Sequence, residues 1–299
     1  ITDNELSASI DWTGAEAAIR KNDWSLDRCK ITDHTGTRLT YTSLGSTDRP
    51  MTNNYGYFIQ NDLRCLTRFG EWYHNHSSGK FYLYFGSTDP STRTVEVATL
   101  NNIIYNNGYD YITIDDIELR GSISHIAVYL NYSSDNCVFR NVTVSYGGQD
   151  GIHLLGNNCT IENNQISYCN QAGIFAVGSG NITSNYIFNI GLIVGQAYYG
   201  TFINAIKVTN NNYVIQYNRI NNSGYSGVNI ASTCDIITIK NNFITNVCLV
   251  LQDGGGIYTS GEGSARVIDG NIIMNSIGNN SGTPNPTRFL ARGIYLDEL

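Results

Sequence analysis

Short strands of alternating apolar and polar residues recur through the second half of the chain, and most of them contain asparagine. Seven copies begin at Ile112, Val138, Thr160, Ile182, Val214, Thr238 and Val267. The apolar residues that close the last six copies lie 21 to 33 residues apart, at Val144, Ile166, Ile187, Ile220, Ile244 and Ile273. Alternation with a period of two predicts β-strands. Its recurrence at this interval predicts a repeat architecture.

A second strand follows each of these copies and always opens on glycine or alanine. Its seven copies span residues 127–130, 151–154, 173–176, 205–208, 227–230, 256–259 and 293–296. Successive side chains of a strand point to opposite faces, so the second residue of each copy should face the core and the third should face outward. The predicted outward column is Tyr129, His153, Phe175, Lys207, Asn229, Tyr258 and Tyr295.

Two strands in a unit of about 22 residues, with occasional longer loops, are typical of a parallel β-helix rather than a propeller. We therefore expect an all-β fold, a right-handed parallel β-helix, with regular coils over residues 111–299. Because the chain stops directly after a repeat strand, we expect exposed apolar core on the last coil unless a further chain segment or subunit packs there. Asparagines near one corner, Asn163, Asn185 and Asn241 or Asn242, should form a ladder between coils.

The first third of the chain lacks this clean repeat but contains strand-like runs at residues 17–20, 39–42 and 81–85. Turn signals separate the runs, such as Ser78-Gly79-Lys80 before the last of them. We expect residues 1–110 to hold the first coils of the β-helix, with an inserted β-rich subdomain at about 45–100.

Charge and cysteine content exclude several classes of function. Charged residues make up 14% of the chain, and the net charge is −7. Nucleic acid is therefore not an expected partner, because phosphate binding needs clustered Lys and Arg. No apolar stretch approaches the roughly 20 residues that span a membrane. Seven cysteines without CxxC spacing predict no zinc site and no disulfide framework. Cys137 and Cys159 should stay unbonded because their Cβ vectors run parallel.

Several runs together resemble a known family. They are GYFIQN at 56–61, GEWY at 70–73, GKFYLY at 79–84 and RGIYLDE at 292–298. With the repeated Gly-Ile strands, they look like the secreted bacterial right-handed β-helix repeat proteins of the pectin-lyase-like superfamily. The resemblance covers nearly the whole chain. It implies an extracellular or cell-surface protein that acts on polysaccharides, as glycoside hydrolases and polysaccharide lyases do, although one fold hosts many functions.

Candidate chemistry lies near three insertions, at 191–202, 248–255 and 278–291, because long loops on one side of a solenoid build its cleft. A glycosidase needs two carboxyl groups about 5 to 10 Å apart. The candidates are Asp253, the neighbouring pair Asp297 and Glu298, and Asp150. Asp253 precedes its strand and Asp297 ends the strand of the following coil, so direct pairing of the two is in question. Each carboxylate also has a structural interpretation, as a turn cap or a solvated strand end.

A polysaccharide lyase would need a base and a cation to offset the uronate charge. Lys207, His153, Arg266 and Arg292 are candidates. Tyr258, Tyr295 and Asn229 are candidates for sugar binding, although the two tyrosines could simply stack between strands. We expect no cofactor, and no metal-ligand spacing indicates calcium.

Three functions follow from these residues. The favoured one is an extracellular glycoside hydrolase acting on a polysaccharide, because acidic candidates outnumber basic ones near the insertions. The alternatives are a polysaccharide lyase, and a noncatalytic adhesin or filament subunit. The sequence does not name the sugar or the linkage.

Overall fold

The computed structural model describes residues 1–45, 49–123, 126–130 and 134–298, the strand at 126–130 by its backbone alone. Tyr129, the first residue of the predicted outward column, therefore lies outside the described side chains. No helix in the described part of the chain is long and apolar enough to cross a membrane.

The N-terminal strands form an antiparallel sheet in the order β3-β2-β1-β4. They are β1 (Glu16–Asn22), β2 (Ser25–Thr35), β3 (Arg38–Ser43) and β4 (Tyr57–Gln60). Residues 1–110 were expected to hold the first coils of the β-helix; Asn102–Asn106 does pair in parallel with Ile126–Leu130, but β1 to β4 pair only antiparallel. The reason is the length of the turns, since two residues separate β1 from β2 and β2 from β3, and so short a turn can only join antiparallel strands.

A hairpin of β5 (Trp72–Asn75) and β6 (Lys80–Leu83) follows, with short 3-10 turns at Leu63–Cys65 and Pro90–Thr92 on either side. The turn between its strands contains Ser78 and Gly79, where the sequence predicted a hairpin or loop. Trp72 and Phe81 stack across the hairpin with their ring centroids 5.5 Å apart.

The rest of the chain is a right-handed parallel β-helix, as the repeat predicted. Its strands are β7 (Asn102–Asn106), β8 (Thr113–Asp115), β9 (Glu118–Arg120), β10 (Ile126–Leu130), β11 (Val138–Arg140), β12 (Thr143–Ser145), β13 (Asp150–Glu162), β14 (Gln165–Ser167), β15 (Ile174–Thr183), β16 (Tyr186–Ile190), β17 (Ile206–Val208), β18 (Tyr213–Gln216), β19 (Arg219–Ser223), β20 (Val228–Ile230), β21 (Ile237–Lys240), β22 (Phe243–Val247), β23 (Gly254–Ser260), β24 (Arg266–Asp269), β25 (Ile272–Ser276) and β26 (Ala291–Asp297). They form a 13-stranded and a 7-stranded parallel sheet.

The register of the coils is the one read from the sequence. Ile152 lies opposite Ile174, and the same column continues through Ile206, Val228, Ile257 and Ile294. The second predicted column, from Val144 to Ile273, is also paired throughout. The inward residues form one core that runs the length of the solenoid, and most of them are fully buried.

A ladder of asparagines, buried except for the partly exposed last member, closes one corner of the coils. Its members are Asn164, Asn185, Asn218, Asn242 and Asn271. The side-chain amide of Asn185 donates to Oδ1 of Asn218 at 2.9 Å, and Asn218 repeats the contact with Asn242 at 3.0 Å. Asn163, which the sequence placed in this ladder, is exposed and instead donates to Asn141 in a separate outer ladder.

The last coil exposes residues at inward positions, as expected. Ile294 and Leu296 are 48% and 52% exposed, whereas Ile257, which pairs with Ile294 on the preceding coil, is fully buried. No disulfide joins any of the seven cysteines.

Candidate functional site

The outward column of the 13-stranded sheet carries most of the candidate side chains on one face. His153 pairs with Phe175, Phe175 with Lys207, Lys207 with Asn229, and the order continues through Tyr258 to Tyr295. Coils stack about 4.8 Å apart, so the column from His153 to Tyr295 spans roughly 24 Å. It contains two clusters of charged groups, one near each end.

The first cluster joins Asp253 and Asp297 through tyrosine hydroxyls. The hydroxyl of Tyr295 donates to Oδ1 of Asp253 at 3.2 Å. The hydroxyl of Tyr258 donates to Oδ2 of Asp297 at 2.7 Å. The two tyrosine rings are in contact, and after burial the charge of Asp297 contributes to the raised pKa of Asp253, so the two carboxyl groups belong to one cluster.

A bend in the glycine run at 254–256 brings Asp253 back toward Tyr295. A Cβ built on Gly255 would lie 2.9 Å from the carbonyl oxygen of Arg292, 3.1 Å from that of Ile257 and 3.4 Å from Cβ of Tyr295. The backbone therefore curls too tightly at Gly255 for a side chain. Asp253 enters the bend with φ of 62°, in the left-handed region. An extended strand would have kept Asp253 far from Asp297, as the sequence order suggested.

The surroundings of Asp253 favour its protonated form. Burial raises the pKa of this half-buried carboxyl, the charges of Asp297 and Asp23 raise the pKa further, and the hydrogen bond from Tyr295 and the charge of Arg288 oppose them. Burial and the neighbouring carboxylates also raise the pKa of Tyr295 to about 12. Tyr295 therefore remains a neutral hydrogen-bond donor at physiological pH.

Three tyrosine rings surround the carboxylates. The rings of Tyr258 and Tyr295 pack edge to face with centroids 5.4 Å apart, and the ring centroid of Tyr225 lies 6.4 Å from that of Tyr258. The hydroxyl of Tyr225 donates to the backbone carbonyl of Asp253 at 2.6 Å, which fixes the turn that carries the carboxyl. The two sugar-binding candidates thus pack edge to face and at the same time donate hydrogen bonds to the carboxylates.

Lys207 and Asn229 lie in the middle of the column, under the insertion at 191–202. They are only 9% and 6% exposed. Nζ of Lys207 donates to Oδ1 of Asn229 at 2.9 Å and lies 4.6 Å from the ring centroid of Phe202. Burial lowers the pKa of the Lys207 amine to about 8. Both residues are covered in this structure and are not part of an open cleft.

Asp150 and His153 form the second cluster, four coils from the first along the column. Asp150 is 1% exposed, and its Oδ2 lies 3.1 Å from Nδ1 of His153. Its Oδ1 accepts hydrogen bonds from Nε2 of Gln171 at 2.9 Å and from the backbone amide of Ala172 at 3.0 Å. The ring of His153 packs on Phe175 with centroids 4.6 Å apart. Four coils correspond to about 19 Å, so Asp150 cannot act together with Asp253.

The remaining candidates lie apart from the carboxylate cluster. The guanidinium of Arg266 donates to backbone carbonyls, among them those of Cys234 and Ser260, at 2.8 and 2.9 Å, and thereby holds the loops of two coils together. Arg292 is exposed, with its guanidinium 5.9 Å from the ring centroid of Tyr295. Glu298 is also exposed at the end of β26, and it reaches the cluster only through the effect of its charge on Tyr258.

Comparison with known families agrees with the fold. The family described as "right handed beta helix region" matches residues 101–273, which is more than half of the chain. The chain belongs to this β-helix family. No curated protein matches it.

Three solved structures show where this β-helix protein stands among known folds. A protein described as a glycoside hydrolase is 12% identical with a TM-score of 0.56, and the match covers 96% of this chain and 63% of that one. The enzymatically active domain of bacteriophage CBA120 tailspike protein 2 is 15% identical, with 62% and 26% covered and a TM-score of 0.47. The A-module of a mannuronan C-5 epimerase from Azotobacter vinelandii is 16% identical, with 64% and 61% covered and a TM-score of 0.38. This chain spans less than two thirds of each, and the likeness at such identities shows the fold alone.

Sequence reasoning did not find every residue of the carboxylate cluster in this β-helix protein. Asp23 lies in the turn between β1 and β2, more than 200 residues from Asp253 in sequence, and its side chain accepts a hydrogen bond from Gln252 at 2.7 Å. No periodic signal marks a residue in such a turn. Tyr225 had a weak signal, since it stands two residues before a glycine that opens a repeat strand.

Proposed function

We propose that this protein is a carbohydrate-active enzyme, a glycoside hydrolase that cleaves a polysaccharide with Asp253 and Asp297. The observation that carries the proposal is the pair of packed tyrosines, of which Tyr295 donates to Asp253 and Tyr258 donates to Asp297, so that two carboxyl groups stand in one cluster, as a glycosidase requires. The extracellular or surface location expected from the sequence belongs to the same proposal.

The environments of the two carboxyl groups assign their roles. Asp253 has a raised pKa, because burial and nearby negative charge disfavour its ionised form. It is therefore the general acid, which gives its proton to the glycosidic oxygen as the bond from that oxygen to the anomeric carbon breaks. Asp297 accepts a hydrogen bond from the hydroxyl of Tyr258 at 2.7 Å. It serves either as the nucleophile or as the base that takes a proton from the attacking water.

The rings of Tyr258 and Tyr295 support sugar binding beside these carboxyl groups. An aromatic ring offers an apolar face to the C–H groups of a sugar, while its hydroxyl stays hydrogen-bonded to a carboxylate. Both tyrosines are partly exposed, and the guanidinium of exposed Arg292 lies 5.9 Å from the ring centroid of Tyr295. Sugar units would bind along the outward column beside Tyr258 and Tyr295.

The lyase alternative has less support from the geometry. Lys207 has the lowered pKa that a base needs, but it is buried under Phe202 and lies on a different coil from both tyrosines. Arg266 is engaged by backbone carbonyls and is not available to a uronate.

Incubation with a panel of neutral and acidic polysaccharides tests the proposal. Hydrolysis releases new reducing ends without forming a double bond, whereas a lyase forms an unsaturated uronate that absorbs ultraviolet light. We expect reducing ends alone. Unsaturated products would replace the hydrolase by the lyase, and no product from any polysaccharide would favour the noncatalytic function.

A further inference from the structure

The N-terminal antiparallel sheet is tied to the loops around Asp253 by a buried arginine. Arg20, on β1, is only 4% exposed. Its guanidinium donates to the backbone carbonyls of Asn279 at 2.7 Å, Ser281 at 2.8 Å and Val250 at 3.3 Å. The same guanidinium donates to the carbonyl of Asp23 at 2.9 Å. One side chain thus joins the turn after β1 to both insertions that flank the carboxylate cluster.

The turn also contacts the residue that precedes Asp253. The backbone amide of Gln252 donates to the carbonyl of Asp23 at 3.1 Å, and Nε2 of Gln252 donates to Oδ1 of Asp23 at 2.7 Å. The other end of the Gln252 amide accepts a hydrogen bond from the backbone amide of Leu290 at 3.2 Å. Burial raises the pKa of the Tyr55 hydroxyl, and the charge of Asp23 raises it further. Gln252 is 1% exposed and is held on both sides.

We propose that Asp23 is a positioning residue for Asp253, so that the N-terminal sheet supplies part of the catalytic site. The inference rests on the proposed function, in which Asp253 is the general acid. Asp23 acts in two ways. It anchors Gln252 and, through Gln252, the bend that carries Asp253. It also adds a negative charge near the carboxyl group of Asp253.

The negative charge of Asp23 helps to keep Asp253 protonated, as a general acid requires. The charged and titratable groups that face Asp253 are Asp23, Asp297, Tyr295, Tyr225, Cys248 and Arg288. Asp23 and Asp297 raise the pKa of Asp253, and Arg288 lowers it. Removing the charge of Asp23 should therefore lower this pKa, because a neighbouring anion disfavours ionisation.

Two substitutions distinguish the role of Asp23 as hydrogen-bond acceptor for Gln252 from the effect of its negative charge. Asp23→Asn keeps an oxygen that can accept from Gln252 and removes only the charge, whereas Asp23→Ala removes both. Asp33→Asn is the matched control, since Asp33 is an exposed carboxylate on β2, bound to Thr35. The pKa of Asp253 can be followed by carbon NMR of labelled aspartate, with its signal assigned from Asp253→Asn, and this readout requires no substrate.

We expect Asp23→Asn to lower the pKa of Asp253 by several tenths of a unit, roughly the effect of one partly screened charge, and Asp33→Asn to leave it unchanged. Asp23→Ala should in addition broaden or shift the Asp253 signal and lower kcat more than it raises KM. An unchanged pKa in folded Asp23→Asn would overturn the inference. If the pKa responds but no polysaccharide is cleaved, the coupling stands and the proposed function fails. The two failures are thus distinguishable.

Discussion

Tyr295 donates its hydroxyl to Asp253 across the gap between two neighbouring coils, at 3.2 Å. The contact joins a strand of the last coil to a turn of the coil before it. A tyrosine of the outward column therefore holds one carboxyl group of the pair, and Tyr258, which packs against its ring, holds the other. The chemistry of the site depends on this hydroxyl as well as on the acids.

Tyr295→Phe should raise the pKa of Asp253, because the lost hydrogen bond had favoured the carboxylate. A general acid must be protonated, so the alkaline limb of the pH–rate profile should move to higher pH, by up to about one unit. Tyr258→Phe is the matched control, since the Tyr258 hydroxyl donates to Asp297 instead. An equal shift in both variants, or none in either, would contradict the role given to Tyr295.

Much of the fold could be predicted because a solenoid repeats one local pattern. The register of Ile152 and Ile174 follows from the spacing of the small residues that open each strand. The antiparallel pairing of β1 and β2 was missed, although its two-residue turn at Asp23 and Trp24 is visible in the sequence.

The site was less predictable because it depends on long-range packing. Asp253 and Asp297 were identified as candidates, but the bend at Gly255 that brings them together leaves no periodic signal. Lys207 was placed correctly in the outward column, yet only the path of the insertion decides that Phe202 covers it. Asp23 could not be connected to Asp253 before the docking of the N-terminal sheet was known.

Lys207 should make the free energy of unfolding depend on pH in the alkaline range. Its pKa is about 8 in the folded protein against 10.5 as the ordinary value, so the unfolded chain binds the proton more tightly. The free energy of unfolding is therefore highest above about pH 10.5. It decreases by at most about 3 kcal/mol as the pH falls through 8.

Lys207→Met should remove this dependence. The difference in unfolding free energy between wild type and variant, measured from pH 7 to 11, should shift in favour of the wild type as the pH rises. Lys80→Met, which removes an exposed amine, is the control and should leave the difference constant. A constant difference for Lys207→Met as well would show that this amine is not desolvated.

Asn218→Ala should destabilise the solenoid by about 3 kcal/mol or more. Asn218 bonds to Asn185, to Asn242 and to the carbonyl of Ile182, and each buried group left without a partner costs about 1 to 3 kcal/mol. Asn163→Gly is the matched control in the exposed ladder, and glycine tolerates the φ of 55° found there. Urea unfolding should show a change below about 1 kcal/mol for the control. Similar losses in both variants would contradict a special role for the buried ladder.

The most direct test of the central claim is the rate of reducing-end release by wild type, Asp253→Asn, Asp297→Asn and Glu298→Gln on a polysaccharide that the wild type cleaves. Removing either member of the carboxyl pair should lower kcat by about 100-fold or more. Glu298→Gln, which neutralises the adjacent exposed acid, should stay within a few-fold of wild type. Retained activity in Asp253→Asn or Asp297→Asn, with the fold intact, would contradict the assignment of catalysis to this pair.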